Sequence, residues 1–260
     1  MSAGEAGATT PRRRVWPWVV SFAIVAALVV GAWFAGEAIA RDVVVGTVRE
    51  EVRTNLALPA DQQIDVEVPG LIIPQLLGGR LDEVRIAADD VPVDQVIADI
   101  VVDAKDVPLG GGDVRDARAT VRIDEEQLPN LLQGVEGFPV DEIGIDAPDI
   151  TAQTELSVFG LGVPIALSLT PTVEDGMLVL SPASIEVAGA EVTADAVRRQ
   201  FGVVAEAVLR DWPVCVAQYL PAGLTLVGVG VDVTESAVVA TFDIADTMLS
   251  DASLRERGSC

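Results

Sequence analysis

The 260-residue chain contains no histidine. That removes the commonest general base, the commonest metal ligand and the usual partner of a serine or cysteine nucleophile. Aromatic residues are scarce: four tryptophans, six phenylalanines and one tyrosine. A core made from this chain is therefore aliphatic. Basic residues are also few, 17 against 40 acidic ones, for a formal net charge of -23. Residues 1–40 hold Arg12, Arg13 and Arg14 against Glu5 and Glu37, so the acidity belongs to the remainder. A domain so charged is repelled by nucleic acid phosphates, which excludes nucleic acid as a partner, and by an anionic lipid surface.

Catalytic motifs are missing as well. The sequence holds neither G-x-S-x-G nor H-E-x-x-H. The glycines at 78–79 and 110–112 precede strand patterns, and no Gly-Lys-Ser/Thr follows them, so no phosphate-cradling loop is expected. Acidic neighbours such as Asp89-Asp90, Glu125-Glu126 and Asp141-Glu142 fall at strand ends or a helix start, where carboxylates serve turns. No EF-hand spacing appears. The chain reads as a non-enzyme with no cofactor and no metal.

What the chain does have is one long hydrophobic run. Val15 to Gly36 carries no charge, and as a helix these residues reach roughly 33 Å, the thickness of a bilayer's hydrocarbon core. Trp16 and Trp18 flank one end, Trp33 and Phe34 the other, in the manner of an aromatic belt. The arginine triplet before the run places that end in the cytoplasm and the rest of the chain outside. The reading is a single-pass cell-membrane protein: residues 1–14 a disordered cytoplasmic tail, 15–36 a transmembrane anchor, 37–250 an extracytoplasmic domain and 251–260 a C-terminal tail. A cleaved signal peptide is the alternative, since Ala38-Ile39-Ala40 fits the small-x-small cleavage pattern. The run is longer than a usual signal core, which favours retention.

An outside location permits a disulfide between the two cysteines, Cys215 and Cys260, which would staple the tail to the domain. Two free thiols, or Cys260 joined to another chain, are the alternatives.

Beyond the anchor, Glu37 to Leu58 reads as an amphipathic helix with Val45, Val48, Val52 and Leu56 on one stripe, stopped near Pro59. The period then switches from 3.6 to 2. Alternation marks strands at Ile64–Val68, Val84–Ile86, Ala117–Ile123, Ile143–Ile145, Ile150–Val158, Val163–Leu169, Val227–Val233 and Val238–Ile244, with short apolar strands at Met177–Leu180 and Ile185–Val187. One apolar and one polar face per strand signals antiparallel sheet with one side on a core. Two more helices are expected. One spans about Asp124 to Gln133, with Pro129 inside it. The other runs from a Thr193 cap to Leu209, with Val197, Phe201, Val204 and Val208 as its stripe. The fold class is α+β: a long curved antiparallel sheet packed on amphipathic helices, preceded by one N-terminal transmembrane helix.

The segments VEVPGLIIPQLLGGRLDEVRI (66–86) and YLPAGLTLVGVGV (219–231) resemble motifs of the LmeA-type family of actinobacterial envelope proteins. The resemblance covers about Arg41 to Thr247. It implies phospholipid binding in the periplasmic space and a part in cell-envelope lipid or glycolipid maintenance. It is also similar to tubular lipid-binding folds, in which a helix lies in a curled sheet. On this reading a groove between the sheet and the stripe Val45, Val48, Val52 and Leu56, with Phe201, takes acyl chains. Arg80, Arg85, Arg118 and Arg122 are then the headgroup candidates, with surface arginine on the wet face of a sheet as their ordinary role. The alternatives are a structural or adaptor domain that binds an unknown envelope protein partner, and a hydrolase built on buried carboxylates.

Overall fold

The computed structural model describes residues 16–55, 58–93, 95–132, 142–158, 161–187, 190–201 and 209–259. One helix, α1 (Trp16–Asn55), joins the apolar run from Trp16 to the amphipathic segment as far as Asn55 with no break between them, and Leu58, the expected end, is not helical. Gly36 and Gly46 lower helix propensity without interrupting it, and after Pro17 in the first turn no proline follows until position 59. The first half stands free of the domain: none of its most apolar window is buried, and the helix is long and apolar enough to span a membrane. Its second half packs.

Among the described residues twelve strands, all paired antiparallel, form two sheets. The first has the order β1 (Asp65–Glu67), β2 (Arg80–Val93), β3 (Val96–Pro108), β4 (Arg115–Asp124), β12 (Ala237–Ile244), β11 (Leu224–Asp232). The second runs β10 (Trp212–Val214), β8 (Met177–Val187), β7 (Leu161–Glu174), β6 (Asp149–Val158), β5 (Glu142–Asp146), with β9 (Ala190–Thr193) beside β8. The antiparallel architecture with helices is as the alternation implies, divided into two sheets whose inner faces share one core. Ala119, Leu226, Val238 and Phe242 of the first sheet meet Ile150, Leu167, Leu169, Leu178 and Leu180 of the second there.

Two elements leave no alternating signal. Strand β3 contains Ile100-Val101-Val102 and has Ile97 47% exposed, so its apolar residues fall on both faces. The short helix α2 (Ile72–Gly78) lies inside the 66–86 motif and carries Pro74 in its first turn, where the missing N–H has no intrahelical partner to lose. The helix expected at 124–133 is a 3-10 turn at Glu125–Gln127 followed by α3 (Leu128–Leu132), with Pro129 again near its start. Thr193 caps α4 (Ala194–Phe201) as expected, its Oγ1 accepting the Ala196 amide at 3.3 Å. The predicted continuation of α4 over 202–208, including Val204 and Val208, lies outside the described residues, and Leu209, its expected end, is buried but not helical.

The packed half of α1 is fastened along β1 and the approach to α2. Val44 is buried, and Ala40, Val45, Val48 and Val52 pack on a second core cluster of Ile64, Val66, Val68, Ile72, Leu81, Val84, Ala88 and Val91. Polar bonds lock the register. The Arg41 guanidinium donates to the carbonyls of Val68 and Gly70 at 2.6 Å each, and Arg49 donates to Ile64 O at 2.8 Å. The buried Glu37 carboxylate accepts the amides of Ile72 and Ile73, the first two N–H groups of α2, and so caps that helix from a neighbouring one.

Candidate functional site

Cross-strand register builds the site. Ala88, Ile100, Val121, Ala240 and Val229 form one row across the first sheet, and Ile86, Val102, Ala119, Phe242 and Leu226 form the next. Rows two residues apart share a face. In β11 a bulge at Val227 inserts one residue between these rows, which is why Leu226 and Val229 both point inward despite their odd spacing. Above the rows the second sheet and α3 stand off, leaving a cavity of about 390 Å³. Its floor is Ala98 and Ile100 from β3, Val121 and Ile123 from β4, Val238, Ala240 and Phe242 from β12, and Leu226 and Val229 from β11. Leu178, Leu131, Val216 and Leu220 close it from other directions. Among the described residues the lining holds no charged side chain. Its polar side chains are Gln95, Asn130 and Tyr219, and all three are exposed, which puts them at openings.

One wall is the segment Val216–Leu220, and the C-terminal tail holds it. Gly258 N donates to Leu220 O at 2.9 Å, Ala222 N to Glu256 O at 2.8 Å and Gly223 N to Leu254 O at 2.9 Å. A Cβ at Gly258 would lie 2.9 Å from Ala217 O, so glycine is what allows this approach. Asp251 starts the tail's last turn. The Ser253 hydroxyl and amide both donate to its carboxylate and hold it below the usual carboxylate range. Cys215, beside the same wall, is disulfide-bonded. Its expected partner Cys260 lies outside the described residues.

The stripe Val45, Val48 and Val52 does not line this cavity. It packs into the helix-side cluster, and Leu56 lies outside the described residues. The two regions adjoin at Ile100, which touches that cluster and also lines the cavity. Phe201 ends α4, and its side chain lies outside the described set. The arginines fall elsewhere again. Glu67, Arg85, Asp103, Arg118 and Asp243 form one cross-strand row of alternating sign on the opposite face of the first sheet. Arg85 pairs with Asp103 and Arg118 with Asp243, each at 3.0 Å. Arg122 sits between Asp124 and Glu235. Arg80, at the start of β2, donates to Asp106 O at 2.7 Å. These guanidiniums serve as cross-strand ties on a wet face.

The acidic neighbours have structural partners too. Asp90 stands in the β2 bulge at φ 54°, its amide bonded to Asp99 Oδ1 at 2.9 Å, and Glu125 accepts the Ile145 amide at 3.2 Å. Asp141 lies outside the described residues. Among the described residues no cluster of three or more His, Cys, Asp or Glu is placed to hold a metal ion. Sequence reasoning missed Gln95 and Asn130, which no pattern marks. Tyr219 opens the 219–231 motif and is the sole tyrosine, which was the available signal.

The site can therefore bury an apolar chain and offer uncharged hydrogen bonds at its openings. Comparison with known proteins agrees with that chemistry. A family model described as LmeA-like phospholipid-binding matches residues 31–243, most of the chain. No curated protein and no solved structure matches it.

Proposed function

The chain belongs to the LmeA-like phospholipid-binding family, and from that premise we propose that it is a membrane-anchored, non-catalytic protein that takes phospholipid acyl chain into the cavity between its two sheets. The cavity is the observation that carries the reading. At about 390 Å³ it falls within the roughly 300–1,000 Å³ of small-molecule sites, and its interior is apolar. Each methylene drawn in from water contributes about 0.8 kcal/mol. The headgroup remains at an opening, within reach of the Gln95 and Asn130 amides or the Tyr219 hydroxyl.

Helix α1 is the anchor, with the arginine triplet on the cytoplasmic side and the domain in the periplasm, where it serves envelope lipid or glycolipid maintenance. The tether offsets the acidic domain's repulsion from anionic lipid by holding it close to the bilayer at high effective concentration. The test is native mass spectrometry of the full chain in mild detergent, followed by organic extraction. A stoichiometric co-purifying phospholipid is the expected result. A protein that is lipid-free, and that acquires none from added vesicles, overturns the reading and leaves the adaptor domain in its place.

A further inference from the structure

Four exposed leucines cluster where α1 leaves its apolar half. Leu71 is 50% exposed, Leu76 36%, Leu77 86% and Leu109 46%. The first three belong to α2 and its N-cap. Leu109 follows β3 and joins them through its amide, which donates to Gly79 O at 3.0 Å. Gly79 itself turns the chain at the end of α2 with φ 72°. Singly exposed leucines are ordinary, but a group of them beside an apolar helix is an interaction surface.

The height of this group is fixed by α1. Gly36 ends the uncharged run, and a Cβ there would lie 3.6 Å from Ile73 Cδ1. One residue on, Glu37 caps α2 through the Ile72 and Ile73 amides, and Arg41 holds Val68 and Gly70. The start of α2 therefore lies against α1 at the point where the uncharged run ends. Charge is consistent with this. The chain has 40 acidic residues, yet Val68 to Leu81 contains none, and its one charged residue is Arg80. This is a segment that an anionic headgroup layer does not repel.

We propose that α2 and Leu109 form an apolar foot that seats at the headgroup–acyl boundary of the leaflet from which α1 emerges. Resting on the reading of α1 as a retained span, the foot gives the domain a second attachment point. It fixes the domain's rotation about α1 as well as its distance from the bilayer. The buried Glu37 and the Arg41 bonds make foot and span one rigid unit, so the leucines enter the interface without a separate ordering cost.

The experiment uses the full chain in phosphatidylcholine vesicles containing some phosphatidylglycerol, with an environment-sensitive fluorophore on a single introduced cysteine: Leu77→Cys in the foot, Val25→Cys in the span, or Val233→Cys in the exposed β11–β12 turn. Disulfide-bonded Cys215 does not take the label. We expect the label at 77 to be blue-shifted and quenched several-fold more than the label at 233 by lipids bearing a shallow nitroxide. The label at 25 should be quenched by a deep nitroxide. A label at 77 that behaves like the one at 233, while the label at 25 is quenched, overturns the foot and leaves the anchor standing. Labels at 25 and 77 that both report water overturn the anchor and the foot with it.

Discussion

Ala240 occupies the middle of the cavity floor, flanked across the sheet by Val121 and Val229. Its small side chain is part of what leaves the space open. In Ala240→Phe the ring projects into existing room, so the cost of overpacking, typically 1–3 kcal/mol in a filled core, falls to under about 1 kcal/mol. If the ring displaces two methylenes of bound acyl chain, about 1.6 kcal/mol of binding is lost, roughly a tenfold fall in lipid retention. Lipid content per protein, read beside the thermal midpoint, checks both parts; a midpoint that collapses, or retention that is unchanged, contradicts the assignment. Much of this floor was legible in the sequence. Val121, Ile123, Val229, Val238, Ala240 and Phe242 all stand on apolar faces by simple alternation. What alternation leaves open is whether an apolar face meets another face or a void, because core and cavity lining share one composition. The arginines show the converse. Their strand positions were readable, but only cross-strand register reveals that Arg85 and Arg118 stand in a row with Asp103 and Asp243, on the side away from the cavity.

At the scale of elements, the C-terminal tail is the part whose role the sequence left least visible. Residues 251–260 carry only the expectation of a Cys215–Cys260 staple, and nothing in their composition marks the backbone bonds to Leu220, Ala222 and Gly223 that brace a cavity wall. Gly258→Val places a branched side chain against Ala217 O, where even a Cβ has no room. The tail should then detach while the sheets persist. Each backbone bond lost is worth about 1 kcal/mol, so the Ala222 and Gly223 amides should exchange with solvent on the order of five- to tenfold faster, with retained lipid reduced. Unchanged exchange at these two amides would show that the brace is unimportant. Strand β3 and helix α2 were invisible for a different reason. β3 is a central strand with apolar residues on both faces, and α2 is a two-turn helix held by Glu37 from α1 instead of by its own cap. Tertiary partners decide such segments, and a local pattern does not contain them.

For the molecule as a whole, net charge and local charge pull in opposite directions. The ladder Glu67, Arg85, Asp103, Arg118, Asp243 stabilises the first sheet, while a formal net charge of -23 strains the whole domain. Exposed pairs are worth at most about 1 kcal/mol each, so the self-repulsion outweighs them. Salt screens both. The thermal midpoint in detergent should therefore rise between about 0.01 M and 1 M ionic strength, as the screening length shrinks from roughly 30 Å to 3 Å. A falling midpoint would mean that the ladder dominates. The topology also bears on how the site comes into being. Strand β12 lies between β4 and β11, so the cavity floor joins residues near position 100 to residues near 240, and the tail completes the wall last. A chain emerging from its N-terminus can form α1 and the β1–β4 meander early, but the cavity waits until the final residues have crossed. During biogenesis the apolar inner face of β3 and β4 is therefore exposed without its cover, so this stretch is where a chaperone or a lipid surface would first be needed.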